Sequence, residues 1–185
     1  MGVLPMRSFC VMLCAQLFRK RNDAMDYIWT PWRYQYMAQV LAGKQPECIF
    51  CDAVARNNDA ETLIVHRGRK SFVILNRFPY TSGHVMIVPY AHVAKLNLCD
   101  AETLGEIMQL AQRTETALLA NYKPEGMNLG MNLGRAAGAG VVGHLHLHVL
   151  PRWIGDSNFM TVTGETRVHP EDLKTTYERL SKALA

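Results

Sequence analysis

His144, His146 and His148 alternate with Leu145, Leu147 and Val149. In an extended strand successive side chains point to opposite faces, so this spacing puts the imidazoles on one face and the aliphatic side chains on the other. At a rise of ~3.3 Å per residue, neighbouring rings lie roughly 6.6 Å apart along the chain, a span that suits a phosphate and its bridging oxygen. A neutral imidazole near pH 7 is a good nucleophile toward phosphorus. Two chemistries can use such a row. A single metal ion is one, but it wants ligands converging from about a tetrahedron, whereas positions on one strand lie nearly in line. In the other the row divides its work: one ring attacks, and its neighbours position phosphate oxygens or assist the leaving group.

Cys48 and Cys51 form a Cys-x-x-Cys pair, which by itself reads as half of a zinc site, a redox couple or a chance spacing. His92, in Pro89-Tyr90-Ala91-His92, and His144 would complete a Cys2His2 set if the fold brings them together. Cys99 has no such partner nearby and reads as a small buried hydrophobe. The segment from Gly134 to Gly143 holds glycines at 134, 138, 140 and 143 and leads directly into the histidine row. Glycine permits positive φ and close approach of backbone N–H groups to an anion, so the segment is either a phosphate cradle or a plain connection.

These residues need a scaffold. Short apolar and β-branched runs at Leu63 to His66, Ser71 to Asn76 and His84 to Pro89 read as an antiparallel meander, broken by Arg67-Gly68 and by Pro79 to Gly83. Asp100 can cap a helix from Ala101 to about Asn121, with Leu104, Ile107, Met108, Leu110, Ala111, Leu118 and Leu119 on its apolar face. Met127 to Leu133 and His144 to Leu150 read as two more strands, and a last helix follows Pro170. Nothing alternates strand with crossover helix at the pace of a parallel sheet, so the class is α+β: an antiparallel sheet of about five strands, a long helix and a C-terminal helix.

The 185 residues suit one ordinary domain, and a hydrophobic share of 49% with 19% charged residues supports a sizeable core. The net charge of +4 is spread too thinly for a duplex-binding surface, so no stable nucleic-acid partner is expected. Five cysteines, an odd number without a usable secretory signal, argue for a reducing, cytoplasmic setting. The apolar stretch from Ser8 to Phe18 is too short to span a bilayer, so no membrane association is expected, and it runs into Arg19-Lys20-Arg21 without a small-residue cleavage site. Residues 1–24 are therefore an N-terminal extension, and the domain covers 25–185, opening on the aromatic segment Asp26 to Tyr34.

His144-Leu145-His146-Leu147-His148-Val149-Leu150 resembles the signature of the histidine triad (HIT) superfamily of nucleotide hydrolases and transferases. The motifs around Trp29-Thr30-Pro31-Trp32-Arg33, Cys48 to Cys51, Asn76 to Tyr80, Gly83-His84, Pro89 to His92 and Pro151 to Phe159 are similar to one branch. That branch holds the bacterial diadenosine tetraphosphate phosphorylases and is close to the fragile histidine triad hydrolases of dinucleoside polyphosphates. The resemblance implies that His146 attacks the α-phosphorus to give a histidine–AMP intermediate, with His148 on the α-phosphate or the leaving oxygen. It implies phosphate contacts from Asn132, Ala139 and Gly140, and ribose contacts from Asn76. It also places Phe50, Ile74 and His84 around base and ribose, and Trp153 near the distal part of the substrate.

A structural zinc ion on Cys48, Cys51, His92 and His144 is implied, as are a homodimer, an adenine dinucleoside polyphosphate substrate and inorganic phosphate as acceptor. One departure is that many relatives carry Ser or Thr where Gly140 and Val141 stand, which leaves the acceptor, phosphate or water, open. Two other readings compete with a phosphorylase or hydrolase. One is an adenosine phosphoramidate hydrolase, and the other is a zinc-stabilised nucleotide-binding module without catalysis.

Overall fold

The computed structural model describes residues 47–156 and 171–185, all within the compact unit Gln45–Ala185. The extension 1–24, the domain start at 25, the aromatic segment with the helix after it, and Asn158 and Phe159 lie outside the described residues. The helix α1 (Ile49–Ala55) and the single turn α2 (Asp59–Thr62) lead into β1 (Ile64–Arg67), β2 (Ser71–Leu75) and β3 (Val85–Pro89). The long helix α3 (Ala101–Tyr122) is followed by β4 (Gly126–Gly130), β5 (Leu147–Arg152) and the last helix α4 (Leu173–Leu184).

The strands form one antiparallel sheet in the order β1-β2-β3-β5-β4. The expected meander is β1 to β3. The chain then passes over β5 through α3 to lay β4 at the far edge, and β5 returns between β3 and β4. This places the histidine strand inside the sheet, with ladder partners on both sides.

Alternation along the strands divides the core. Val73, Leu75, Val85, Ile87, Leu147 and Val149 face α3 and α4, where Ile107, Leu110, Leu118, Leu180 and Leu184 complete one cluster. Phe72, Ile74, Met86 and Val88 face the other way and pack with Cys48, Phe50 and Ala53. The aliphatic side chains between the histidines thus meet the larger core, as their spacing requires.

Asp100 caps α3: its carboxylate accepts the backbone N–H of Thr103 at 2.8 Å and the Thr103 hydroxyl at 2.8 Å. Those two bonds hold its carboxyl down to about 2. The expected core face of α3 needs correction at two positions, because Met108 is 58% and Leu119 46% exposed. On a helix of 3.6 residues per turn both fall roughly 100–120° from Ile107, beyond the stripe that the sheet covers. Cys99 is half-buried rather than buried.

The histidine strand also starts later than expected. The ladder begins at Leu147, and His144 and His146 precede it. The N–H of Leu145 is taken by the carbonyl of Val93 at 2.7 Å, and the His144 carbonyl by the His146 ring at 2.8 Å, so both leave the β3 ladder. No helix among the described residues is long and apolar enough to cross a membrane.

Candidate active site

The histidine row divides at once into two groups. The His144 ring faces Cys48 and Cys51, whereas His148 reaches His84 and His146 meets His148 edge-on, with centroids 4.9 Å apart. The lone three-histidine metal site is therefore not what the fold builds.

At the first group, Cys48 Sγ lies 3.2 Å from His144 Nδ1, and Cys51 Sγ lies 3.3 Å from His92 Nδ1 and 3.7 Å from His144 Nδ1. All four donor atoms lie within 4.8 Å of one another. Zinc–sulfur and zinc–nitrogen bonds arranged as a tetrahedron separate the ligands by about 3.3–3.8 Å, so the donor set fits a zinc ion. His144 Nε2 donates to the Pro89 carbonyl at 2.9 Å, which leaves the Nδ1 lone pair facing the sulfurs. Burial and the neighbouring Cys48 push the Cys51 thiol up, a crowding of donors that a cation would relieve. Cys48 stands at the N-cap of α1 without capping it, so its sulfur is available to the cluster. Gly143 faces His92: a Cβ there would sit 3.6 Å from its Nε2.

In the second group the backbone decides where protons reside. His146, 5% exposed, donates from Nδ1 to the carbonyl of His144 at 2.8 Å. Its Nε2 therefore carries the lone pair. The backbone N–H of Tyr80 donates to His84 Nδ1 at 3.1 Å. A backbone N–H cannot accept, so in neutral His84 the proton sits on Nε2, which reaches His148 Nδ1 at 2.9 Å. His148 then holds its own proton on Nε2. This assignment follows from the hydrogen-bond geometry; the longer contact from Asn76 Nδ2 to His84 Nε2, 3.4 Å, is the one it leaves weak.

Burial lowers the pKa of His146. Burial and the neighbouring rings push His148 down to about 4 and His84 to about 3. Near neutral pH the site thus offers a bare nitrogen on His146 beside an N–H donor on His148. That pairing suits nucleophilic attack with assistance to a leaving oxygen.

Other expected residues surround this centre to different degrees. Phe50, 1% exposed, packs its ring 5.4 Å from His144 and 5.2 Å from His146. Ile74 and Met86 are register partners, and Met86 is also the partner of His148, so the three share a face. Asn76 turns its Oδ1 to the backbone N–H of Phe78. Asn132, Ala139 and Gly140 stand on the connection from β4 to β5, where Gly134 and Gly138 take positive φ and the Ala139 N–H bonds the Gly134 carbonyl. Trp153 follows β5 on a turn closed by Arg152 and Asp156 at 2.6 and 2.7 Å. None of these last four hydrogen-bonds to the histidines.

Tyr80, to which the sequence motifs assign no role, lays its ring against His84 at 4.8 Å and His148 at 6.2 Å. Its signal was its place in the Asn76 to Tyr80 motif, but the contact depends on a turn whose shape spacing alone does not define.

Comparison with known proteins places this geometry. The HIT domain profile matches residues 57–153. The chain is 36% identical over 167 residues to the AP-4-A phosphorylase of Mycobacterium tuberculosis (strain H37Rv), covering 87% of this chain and 85% of that protein. A Zn-bound histidine triad family protein from Mycobacterium smegmatis superposes with a TM-score of 0.62 at 30% identity, covering 75% of this chain and 93% of the other. A hypothetical histidine triad nucleotide-binding protein from Sulfolobus tokodaii gives 0.58 at 30% identity, covering 74% and 89%.

Proposed function

This chain belongs to the HIT domain family, and from that premise we propose that it is a nucleotidyltransferase that cleaves diadenosine tetraphosphate with inorganic phosphate to ADP and ATP. One observation carries the reading: His146 Nδ1 is committed to the His144 carbonyl, so Nε2 is the bare, buried nitrogen next to the donor on His148. In the first step His146 Nε2 attacks the α-phosphorus. A P–N bond forms, the P–O bond to the leaving ATP breaks, and His148 Nε2–H hydrogen-bonds the oxygen that takes up negative charge. In the second step a phosphate oxygen attacks the same phosphorus from the opposite side, ADP forms, and His146 regains its lone pair.

Asn132, Ala139 and Gly140 would hold phosphate oxygens, Asn76 the ribose, and Phe50, Ile74 and His84 the surroundings of base and ribose. Trp153 would lie at the distal nucleotide. Zinc on Cys48, Cys51, His92 and His144 would be structural, cross-linking α1 to the entry of β5 from behind the nucleophile. A homodimer and a cytoplasmic setting complete the reading. The absence of a hydroxyl at Gly140 and Val141 leaves the acceptor open, so hydrolysis, with water in place of phosphate, is the second reading.

Incubation with diadenosine tetraphosphate, with and without phosphate, separates these readings by their products. ADP plus ATP only when phosphate is present supports phosphorolysis; AMP plus ATP in both cases indicates a hydrolase. An intact dinucleotide, with AMP released instead from a P–N bonded substrate, indicates a phosphoramidate hydrolase. No turnover of either substrate leaves a binding module. His146→Ala should abolish turnover while nucleotide binding persists, and full activity in that variant would refute the covalent role.

A further inference from the structure

We propose that Phe50 is a positioning residue through which occupancy of the Cys48, Cys51, His92 and His144 cluster sets the pose of the His146 ring; the proposal rests on His146 being the attacking group. Phe50 sits on α1 between the two cysteines and is 1% exposed. Its ring meets His144 edge-on, at 5.4 Å and 80°, and meets His146 at 5.2 Å and 50°. The His146 ring is held a second time, by its hydrogen bond to the carbonyl of His144. Both restraints start at the cluster: one at a residue flanked by two of its ligands, the other at the main chain of a third.

The helix that carries Phe50 has little to hold it by itself. It is seven residues long, and its N-cap side chain makes no capping bond. So short a helix is marginal without tertiary support. Its links to the entry of β5 are the packing of Phe50 and the Cys48 and Cys51 contacts to His144, at 3.2 and 3.7 Å. Thiol–imidazole hydrogen bonds are weak because S–H is a poor donor, whereas metal coordination would bind α1 firmly to His144 and His92. Phe50 moves with α1, and the nucleophile leans on Phe50. A displacement of about 1 Å at a reacting group can cost on the order of 100-fold in rate, so metal occupancy would be felt in the chemical step as well as in stability.

The test uses the full chain labelled with 15N-histidine and stripped of metal, with zinc added to one equivalent. In the parent, the ring-nitrogen resonances of His146, assigned by their loss in His146→Gln, should shift and sharpen on loading. Phe50→Leu should bind zinc with the same stoichiometry, yet its zinc-induced shift at His146 should fall about twofold or more, the remainder being carried by the His144 carbonyl. At saturating substrate the first chemical step in zinc-loaded Phe50→Leu should slow about tenfold, with KM changed less than about threefold.

An undiminished zinc-induced shift in Phe50→Leu overturns the proposal. So does a raised KM with kcat unchanged, which would make Phe50 a wall of the base pocket only. If Phe50→Leu binds no zinc, Phe50→Met, which preserves more of the packed volume, decides by the same comparison. Should the parent turn over no dinucleotide at all, the proposed function fails, and the resonance measurement still decides whether the cluster reaches His146.

Discussion

At the scale of single residues, the chemistry depends on which ring nitrogen carries each proton, and fixed main-chain groups decide it. The Tyr80 N–H directs the His84 proton to Nε2, and His84 in turn directs the His148 proton outward. In the proposed reaction His84 would act through His148, as a positioning residue. His84→Phe should free His148 to adopt the other tautomer and lower the rate at saturating substrate by about 10–100-fold. His84→Gln, whose amide can still donate, should retain most of the activity. Equal losses in the two variants would show that the donated proton is unimportant.

The same burial makes a prediction for stability. The folded pKa of His84 is about 3, below its usual value near 6.5. Between those values the unfolded chain binds a proton that the native site refuses, so this residue's contribution to stability falls as pH drops from about 6.5 toward 3, by at most ~1.4 kcal/mol per pH unit. Thermal melts at pH 7, 6 and 5 should show the parent losing Tm faster than His84→Gln. Parallel losses would mean that His84 is not held neutral.

At the scale of elements, the turn that delivers His84 to the sheet is the tightest part of the site. Gly83 takes φ +81°, and a Cβ there would sit 3.0 Å from Leu118 Cδ2 on α3 and 3.3 Å from Pro151 Cγ. Thr81 also donates to the Pro151 carbonyl at 3.1 Å, so the turn is clamped from two sides. Gly83→Ala should destabilise the protein by roughly 1–3 kcal/mol, through positive φ and contact with α3 together. Denaturant unfolding would measure it, and a loss under about 0.5 kcal/mol, within the usual range of surface substitutions, would show that the turn relaxes freely.

These elements also show what spacing can disclose. The alternation of His144, His146 and His148 with Leu145, Leu147 and Val149 was legible because a period of two is written in adjacent residues. So was α3, where a cap and a long apolar stripe agree. The link from His84 to His148 was not, because it joins residues 64 apart through the register that pairs Met86 with His148. The late start of β5 was hidden for a similar reason: His144 spends its carbonyl on a side chain, and Leu145 finds its partner on the segment after β3.

At the scale of the whole molecule, the sheet separates the work of holding the fold from the work of the site. Leu180, 0% exposed, and Leu184, 1% exposed, close the larger core on one face, and Arg113 donates to the Leu184 carbonyl at 3.0 Å to fix the end of α4. The His146 and His148 rings, Phe50 and Cys48 belong to the other face. A cavity behind the sheet and a broken cluster in front of it should therefore leave different signatures. Leu180→Ala removes fully buried methyl groups from the larger core, so it should cost about 2–5 kcal/mol, while zinc content and the rate at saturating substrate at 20 °C stay close to those of the parent. Cys48→Ser should instead lower zinc content and Tm together, because zinc held by the residues at 48, 51, 92 and 144 would bind the folded site and not the unfolded chain, so its binding free energy would add to stability. Metal analysis beside calorimetry on the two variants checks both. If Leu180→Ala lost zinc in proportion to its stability, the two faces would be unfolding as one, and the sheet would not be the rigid partition that this division of labour requires.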